Sequence, residues 1–278
     1  MRQAIGRCAC VIGFALGCAQ ALAADKPYEF GVFPHLPLAK IRALYEPVAA
    51  DFESKLGRQV WLSSKADYAT FRATLAKEAY DIAFVQPFDY VEAHDQHGYL
   101  PLARRASDLE ALILVLPDSP LKTLRDLKGK VVANPPVEAA VSYLTTMALR
   151  DAGIDPANGV TRDYSKSHFT CMQSVLIGTA DACGTALQAL LHFEREKQMS
   201  SRFRVLYKTV PIPHTLFVVH RRVPKTDRDI LLRTILGWSK TEIGRKIIED
   251  GQFFPFVEAH DVEYDVVRKY VRGGKPAR

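Results

Sequence analysis

The sequence predicts an α/β fold built as two lobes that are joined by two crossings of the chain. Apolar strand patterns alternate with helical patterns through most of the 278 residues, which is typical of largely parallel sheets covered by helices. Two strongly apolar strands, 111–116 and 216–220, bracket a complete second series of such elements. A chain of this length also supplies enough residues for two lobes with separate hydrophobic cores.

The first lobe begins with regularly alternating strand and helix patterns. Gly57 stands where a left-handed residue is expected to close the first helix, and the segment 86–88 breaks the buried third strand. In chain order the predicted elements are a strand over 28–33, a helix over 39–56, a strand over 60–63, a helix over 68–77, a strand over 81–85 and a helix from 89 onward.

The second lobe repeats this alternation. Its predicted elements are strands over 111–116, 131–133, 160–164 and 180–184, with helices over 139–152 and 171–176. The strand over 216–220 then returns the chain, which predicts one lobe from 24–110 plus 217–278 and another from 111–216. Ligands of open α/β sheets bind beyond the carboxyl ends of the strands, so we expect the site in the cleft between the lobes.

The N-terminus predicts export. Arg2 and Arg7 precede an apolar run over 8–22 that ends in small residues around Ala23. Because the run is too short to span a bilayer, we interpret residues 1–23 as a signal peptide cleaved after Ala23 and the mature protein as periplasmic. A second interpretation, in which Cys18 carries a lipid, stays open.

Charge and motifs argue against nucleic-acid binding and against catalysis. The formal net charge of +6 is spread thinly along the chain, without a concentrated basic stripe. The sequence has no Gly-x-Ser-x-Gly elbow, phosphate loop, Gly-x-Gly-x-x-Gly or His-Glu-x-x-His motif. We therefore expect a monomeric binding protein that is not an enzyme and needs no cofactor or resident metal.

Four segments in this order resemble the phosphonate-binding family of type II periplasmic substrate-binding proteins of ABC transporters. They are EPVAA at 46–50 with LGRQV at 56–60, YDIAFVQPF at 80–88, SPLKTLRDLKGK at 119–130, and His168 with SVLIGTADA at 174–182. The resemblance implies a two-lobed receptor that holds a small ligand, an oxyanion by preference, and delivers it to an ABC permease. It also implies that His168 takes the place of the family's ligand histidine.

One segment departs from the family pattern. The family carries a hydroxyl-rich run at the start of the first helix of its second lobe, where hydroxyls and backbone N–H groups hold the anion. This chain has VEAAVS at 137–142 instead, with Glu138, Ala139 and Ala140 at that place. A carboxylate there would repel a dianion by a few kcal/mol at an effective dielectric near 20. We therefore expect that a simple alkylphosphonate is not the ligand.

Three residues of the first lobe are candidate ligand contacts. His35 lies in a turn between two prolines that faces the expected cleft, and a rigid turn suits a preorganised contact. Gln86 and Phe88 follow the third strand on the matching edge of the same cleft. Each of these positions also has a structural interpretation, as a solvated turn or as part of the core.

Cys171 and Cys183 remain as the cysteines of the mature chain and allow two interpretations. An oxidising compartment favours a disulfide that closes a short loop. Alternatively, the two thiols bind a thiophilic oxyanion or a transition metal beside the cleft, and the protein feeds a membrane sensor kinase instead of a permease. The spacing of the two cysteines leaves both open.

Overall fold

The computed structural model describes residues 26–198, 201–251 and 255–272, which form two α/β lobes. The predicted signal peptide over 1–23, with Cys18, lies outside the described residues. In the part of the chain that is described, no helix combines the length and apolar character that a membrane crossing requires.

Short strands provide the frame of both lobes. In chain order they are β1 (Tyr28–Val32), β2 (Val60–Ser64), β3 (Ile82–Val85), β4 (Tyr99–Arg105), β5 (Asp108–Leu109), β6 (Ala111–Val115), β7 (Val131–Asn134), β8 (Thr161–Tyr164), β9 (Ala182–Ala186), β10 (Arg204–Lys208), β11 (Ile212–Pro213), β12 (Leu216–His220) and β13 (Phe256–Glu258).

Helices cover the sheets and connect most of the parallel strands. They are α1 (Leu38–Leu56), α2 (Tyr68–Ala76), α3 (Pro87–His97), α4 (Ala140–Asp151), α5 (His168–Leu176), α6 (Leu187–Lys197), α7 (Lys225–Gly237), α8 (Glu242–Asp250) and α9 (Asp265–Arg272). Short 3-10 turns at 124–127, 238–240 and 261–264 complete the described elements.

Each lobe has its own sheet. Within the described residues, the first-lobe sheet has the strand order β13-β4-β12-β3-β1-β2, and the second-lobe sheet has the order β10-β6-β9-β7-β8. In both sheets the βα repeats pair in parallel, whereas the strands that return from the other lobe pair antiparallel. The carboxyl ends of the parallel strands in each lobe carry the loops that face the other lobe.

The two lobes are connected at a pair of very short strands. β5 and β11 pair antiparallel, with Ile212 opposite Leu109 and Pro213 opposite Asp108. The chain passes from the first lobe to the second directly after β5 and returns directly before β11. The two crossings between the lobes therefore lie side by side. The exact residues at which one lobe ends and the other begins, 110 and 216, remain predictions from the sequence.

The first-lobe core is aromatic. Phe30, Phe52, Phe217 and Trp238 are fully buried, and their ring centroids lie 5.6–6.1 Å apart. The indole N–H of Trp238 donates to the buried carboxylate of Asp51 at 2.8 Å, which satisfies the one polar group of that side chain. This core packs against the sheet that contains β1 and β3.

Candidate functional site

Loops from both lobes meet at the carboxyl ends of the parallel strands. From the first lobe come the turn after β1, which holds His35, and the junction of β3 and α3, which holds Gln86. From the second lobe come the N-termini of α4 and α5. This is the position at which open α/β sheets bind ligands. The predicted cleft residues of both lobes therefore lie along a shared boundary, except for the two cysteines.

Gln86 joins the lobes directly. It is the N-cap residue of α3 in an extended conformation, and its side chain is almost fully buried. Its Nε2 donates to the carbonyl oxygen of Glu138 at 2.6 Å, and its Oε1 accepts from the backbone N–H of Ala140 at 2.9 Å. Ala140 is the first residue of α4, so the oxygen of Gln86 occupies one of the N–H groups that a helix leaves without an internal partner.

An aromatic pair closes the boundary beside Gln86. The rings of Phe88 and Tyr143 stack across the lobes with centroids 4.7 Å apart and planes 20° apart. Tyr143 lies in the first turn of α4, and Ala139 is the N-cap residue of this helix. Ala139 and Ala140 are buried against the first-lobe core through the same contact. The small alanines thus let α4 approach the first lobe closely.

His168 is fixed in orientation by the second lobe. It is the first residue of α5, whose N-cap Ser167 accepts a hydrogen bond from the Thr170 N–H. The Nδ1 atom of His168 lies 2.8 Å from the hydroxyl oxygen of Thr185 at the end of β9. Burial, with a smaller contribution from the nearby His35, lowers the pKa of His168 to about 4.

His35 reaches the same boundary from the first lobe. Its Nδ1 lies 3.0 Å from the carbonyl oxygen of Phe33, and its ring packs on the Phe33 ring with centroids 4.6 Å apart. The rings of His35 and Tyr45 are nearly perpendicular, with centroids 5.8 Å apart. Burial lowers the pKa of His35 to about 4, with a smaller contribution from Arg105. Two neutral histidines from opposite lobes therefore lie near each other.

Carboxylates lie on the Gln86 side of the boundary. Asp89, one turn into α3, is buried and pairs with Arg72 at 3.0 Å. Burial raises the pKa of Asp89 to about 6, the Arg72 guanidinium opposes that rise, and the Glu138 charge adds to it. Because Glu138 acts on a first-lobe carboxylate, its own charge lies close to this boundary. This side of the boundary therefore carries two carboxylates and one guanidinium.

Cys171 and Cys183 are bonded to each other away from this boundary. Their alpha carbons are 5.7 Å apart, both side chains are 0% exposed, and they pack in a second-lobe core cluster with Met172 and Phe193. The structure therefore contains the predicted disulfide. It does not place either sulfur at the cleft as the candidate-ligand hypothesis required, because both side chains point into the layer between α5 and the sheet.

Three contributors to the boundary did not emerge from the sequence. Thr185 orients His168, Tyr143 stacks on Phe88, and Arg72 compensates Asp89. Thr185 lies two residues after Cys183 at the carboxyl end of β9, so a correct strand end would have placed it beside the cleft. In the described residues, no group of three His, Cys, Asp or Glu side chains is arranged to hold a metal ion.

The arrangement defines a class of protein: a two-lobed type II periplasmic binding protein with two hinge crossings. The family described as "ABC transporter, phosphonate, periplasmic substrate-binding protein" matches residues 30–264. The chain belongs to this family, as the resemblance predicted. Members are substrate-binding components of a transporter, and the family is periplasmic.

Solved structures confirm the fold class. A binding protein component of an ABC phosphonate transporter from Pseudomonas aeruginosa matches with a TM-score of 0.75 at 19% identity, over 89% of this chain and 86% of that chain. PhnD1 from Prochlorococcus marinus, in complex with methylphosphonate, matches with a TM-score of 0.79 at 16% identity, over 89% and 98% of the two chains. A Xanthomonas citri protein bound to ATP matches with a TM-score of 0.72 at 17% identity, over 88% and 96%. No curated protein sequence gives a match.

Proposed function

We propose that this protein is exported through its N-terminal signal peptide, captures a small oxyanion between its two lobes and presents it to an ABC permease. The family and the fold support a transport receptor. The comparisons lend nothing to the alternative in which a membrane sensor kinase is the partner. The thiophilic version of that alternative also needs two free thiols, whereas Cys171 and Cys183 are joined to each other.

The hydrogen bond from the Ala140 N–H to Gln86 Oε1 carries this proposal. It shows that the first N–H of α4 faces the other lobe and already holds an oxygen atom at 2.9 Å. The N-terminus of a helix favours negative charge because its free N–H groups and its dipole point in the same direction. An oxygen of a bound oxyanion, in place of the Gln86 oxygen, would receive the same hydrogen bond with a larger charge.

The charge around this N–H argues against a dianion. Glu138 precedes Ala140 by two residues, and its charge raises the pKa of Asp89, which pairs with Arg72; Glu138 itself has no such cation in the ion pairs of the described residues. The first two residues of α4 are alanine and valine, and the hydroxyl of the Ser142 that follows donates to the Pro135 carbonyl oxygen at 3.2 Å, so a run of hydroxyls that could cradle an anion is missing. We therefore expect weak binding of simple alkylphosphonates in their doubly ionised form. PhnD1 binds methylphosphonate, so this compound is the natural reference ligand for the test.

Thermal-shift and calorimetric titration of the whole protein test the proposal. The panel contains methylphosphonate, phosphite, phosphate, sulfate and methanesulfonate. A ligand present at a hundredfold excess over its Kd stabilises the folded state by about 2.7 kcal/mol, which is readily seen as a shift in Tm. If no member of the panel shifts Tm or releases heat, the oxyanion proposal is wrong.

A matched pair of proline variants tests the role of the α4 N-terminus. Ala140→Pro removes the donor N–H at the first position of α4, where proline is compatible with a helix. Ala139 before it already has the extended conformation that a following proline requires. The control is Glu242→Pro at the first position of α8, away from the cleft. We expect about tenfold or greater loss of oxyanion affinity in Ala140→Pro and none in the control.

A further inference from the structure

A cavity of about 290 Å³ opens on the first lobe, away from the interlobe cleft. α1 begins at the cleft with Leu38, and the cavity starts at Asp51, roughly 20 Å further along the helix axis. A volume near the lower end of the range for ligand pockets, roughly 300 Å³, holds a molecule of the size of an amino acid. The cavity is lined by Asp51, Lys55, Ile230, Arg233, Thr234, Gly237, Trp238 and Thr241, which all belong to the first lobe.

The spacing of residues along α7 explains why the cavity exists. Ile230, Arg233, Thr234 and Gly237 recur at intervals of three and four, so they share the face of α7 that lies beside the cavity. Gly237 ends this helix, and a Cβ at this position would touch nothing within 4 Å. The gap between α1 and the end of α7 is therefore not filled by side chains.

Asp51 places a carboxylate in the wall of the cavity. The residue is only 4% exposed, and its Oδ2 accepts the indole N–H of Trp238 at 2.8 Å. Its Oδ1 has no hydrogen-bond partner among the described residues, and it is not one of the polar atoms that are closed off from solvent without a partner. Because a nearly buried carboxylate oxygen needs a donor, Oδ1 is an acceptor that is available to a molecule in the cavity.

Two exposed cations line the same cavity. Lys55 follows Asp51 by one helical turn, and Arg233 comes from α7. Neither side chain takes part in an ion pair of the described residues. Asp229, one turn before Arg233, is held by Lys225 at 2.7 Å. The cavity thus combines one nearly buried negative charge with two positive charges that have no carboxylate partner.

We propose that this cavity is a second binding site and that it takes a small α-amino acid with an apolar side chain. The ammonium group donates to Oδ1 of Asp51, the carboxylate lies between Lys55 and Arg233, and the apolar side chain packs on Ile230. A ligand that carries only one of the two charges leaves the other half of the site without a partner. Since the second lobe contributes nothing here, binding needs no closure of the lobes and does not depend on the proposed capture of an oxyanion.

Tryptophan fluorescence of the whole protein tests the inference. The chain has two tryptophans, and Trp61 is 55% exposed on β2, so Trp61→Phe leaves Trp238 as the reporter at the cavity. The probes are L-leucine and its two halves, 4-methylpentanoate without the ammonium group and 3-methylbutylamine without the carboxylate. We expect leucine to change the Trp238 emission and to bind about tenfold or more tightly than either half in calorimetry.

Two results would overturn the inference directly. If leucine changes neither the emission of Trp238 nor the heat of titration, the cavity is not a site for amino acids. If one of the halves binds as tightly as leucine, the site recognises a single charge and the assigned ligand class is wrong. Oxyanion binding at the cleft is measured separately, so a failure here leaves the proposed function standing, and the reverse also holds.

A first variant pair tests the carboxylate. Asp51→Asn keeps an oxygen for the indole N–H of Trp238 but removes the negative charge, so we expect leucine affinity to fall about tenfold or more. Glu249→Gln, at an exposed position on α8, removes the same charge elsewhere and should bind leucine like the parent. Circular dichroism and Tm report whether both variants are folded. A folded Asp51→Asn protein with unchanged leucine affinity would contradict the role of Asp51.

A second variant pair keeps the inference testable if Asp51→Asn does not fold. Arg233→Gln changes an exposed side chain, and we expect it to weaken leucine and 4-methylpentanoate but not 3-methylbutylamine. Arg245→Gln, also exposed but outside the cavity lining, is the matched control and should leave the binding of all three probes unchanged. Equal affinities for leucine in Arg233→Gln and in the parent would show that the carboxylate is not bound here.

Discussion

Gln86 and Ala140 belong to different lobes, and the side-chain oxygen of the first accepts the backbone N–H of the second at 2.9 Å. The same carboxamide donates to the Glu138 carbonyl at 2.6 Å. Gln86 therefore pairs with two peptide groups of the other lobe as a backbone amide would in a sheet. Because Gln86 is only 2% exposed, both of its polar atoms need these partners. The contact closes the cleft and at the same time occupies the N–H that an anion would use.

We expect Gln86→Ala to favour an open form of the ligand-free protein. The substitution removes two interlobe hydrogen bonds, each worth about 0.5–1.5 kcal/mol, and it leaves the lobes joined at the β5–β11 crossings. Small-angle scattering should show a larger radius of gyration than for the parent protein. Gln96→Ala, an exposed position on the same helix, is the control. Identical scattering of Gln86→Ala and the parent would show that other contacts hold the lobes together.

The stack between Phe88 and Tyr143 should contribute to closure and to ligand affinity. An aromatic pair of this geometry is worth about 0.5–1.5 kcal/mol beyond the area that it buries. We expect Tyr143→Ala to weaken oxyanion binding about 3- to 10-fold. Tyr143→Phe keeps the ring and should bind like the parent. If both variants lose affinity equally, the Tyr143 hydroxyl and not the stacked ring is responsible.

Most of the repeating elements could be predicted because their signals are local. The predicted strand over 81–85 and helix over 139–152 match Ile82–Val85 and Ala140–Asp151 closely. Gly57 caps α1 with a φ of 63°, as expected for a residue without a Cβ. The sequence predicts the start of α3 at residue 89, two residues too late, because the segment with Pro87 indicates a break after the strand. It is instead the first residue of the helix, where proline needs no N–H partner.

Other features depended on contacts that no local pattern shows. β4 contains Pro101 and two arginines, a composition that does not predict a strand. It pairs with β12 through an irregularity beside Pro101, which lets the sheet accept a proline. The site was predicted as a set of loop positions. The pairing of Gln86 with α4 could not be predicted, since it depends on how the lobes meet.

The disulfide between Cys171 and Cys183 should stabilise the second lobe without contributing to the ligand site. It closes a short loop of 12 positions, which corresponds to about 2–3 kcal/mol through the unfolded state. We expect the free energy of unfolding of the double variant Cys171→Ala with Cys183→Ala, measured by urea denaturation, to be lower by that amount. The variant should bind oxyanions normally. Alanine avoids placing hydroxyls in a fully buried layer.

Thiol counting on denatured, unreduced protein provides the control for this variant. The parent should show no free thiol at these two positions. Two reactive thiols in the mature protein, or loss of binding in the double variant without loss of stability, would assign the cysteines to the ligand site and restore the thiophilic hypothesis.

Acidification should destabilise the folded protein between about pH 6.5 and pH 4, and three histidines with lowered pKa values determine the sign. The pKa values of His35 and His168 fall to about 4, and burial lowers the pKa of His214 well below its ordinary value. In this window the unfolded chain binds more protons than the folded one, so stability falls as pH falls. At pH 5 the loss is about 2 kcal/mol for each of His35 and His168. Asp89 acts in the opposite direction, because its pKa is raised to about 6 and the folded state gains a proton there, which offsets about 1 kcal/mol.

Urea unfolding at pH 7, 6 and 5 should therefore show a steady loss of several kcal/mol, and His168→Gln should reduce that slope while His97→Gln leaves it unchanged. A slope that His168→Gln does not alter would mean that this ring titrates in the folded protein as it does in the unfolded chain.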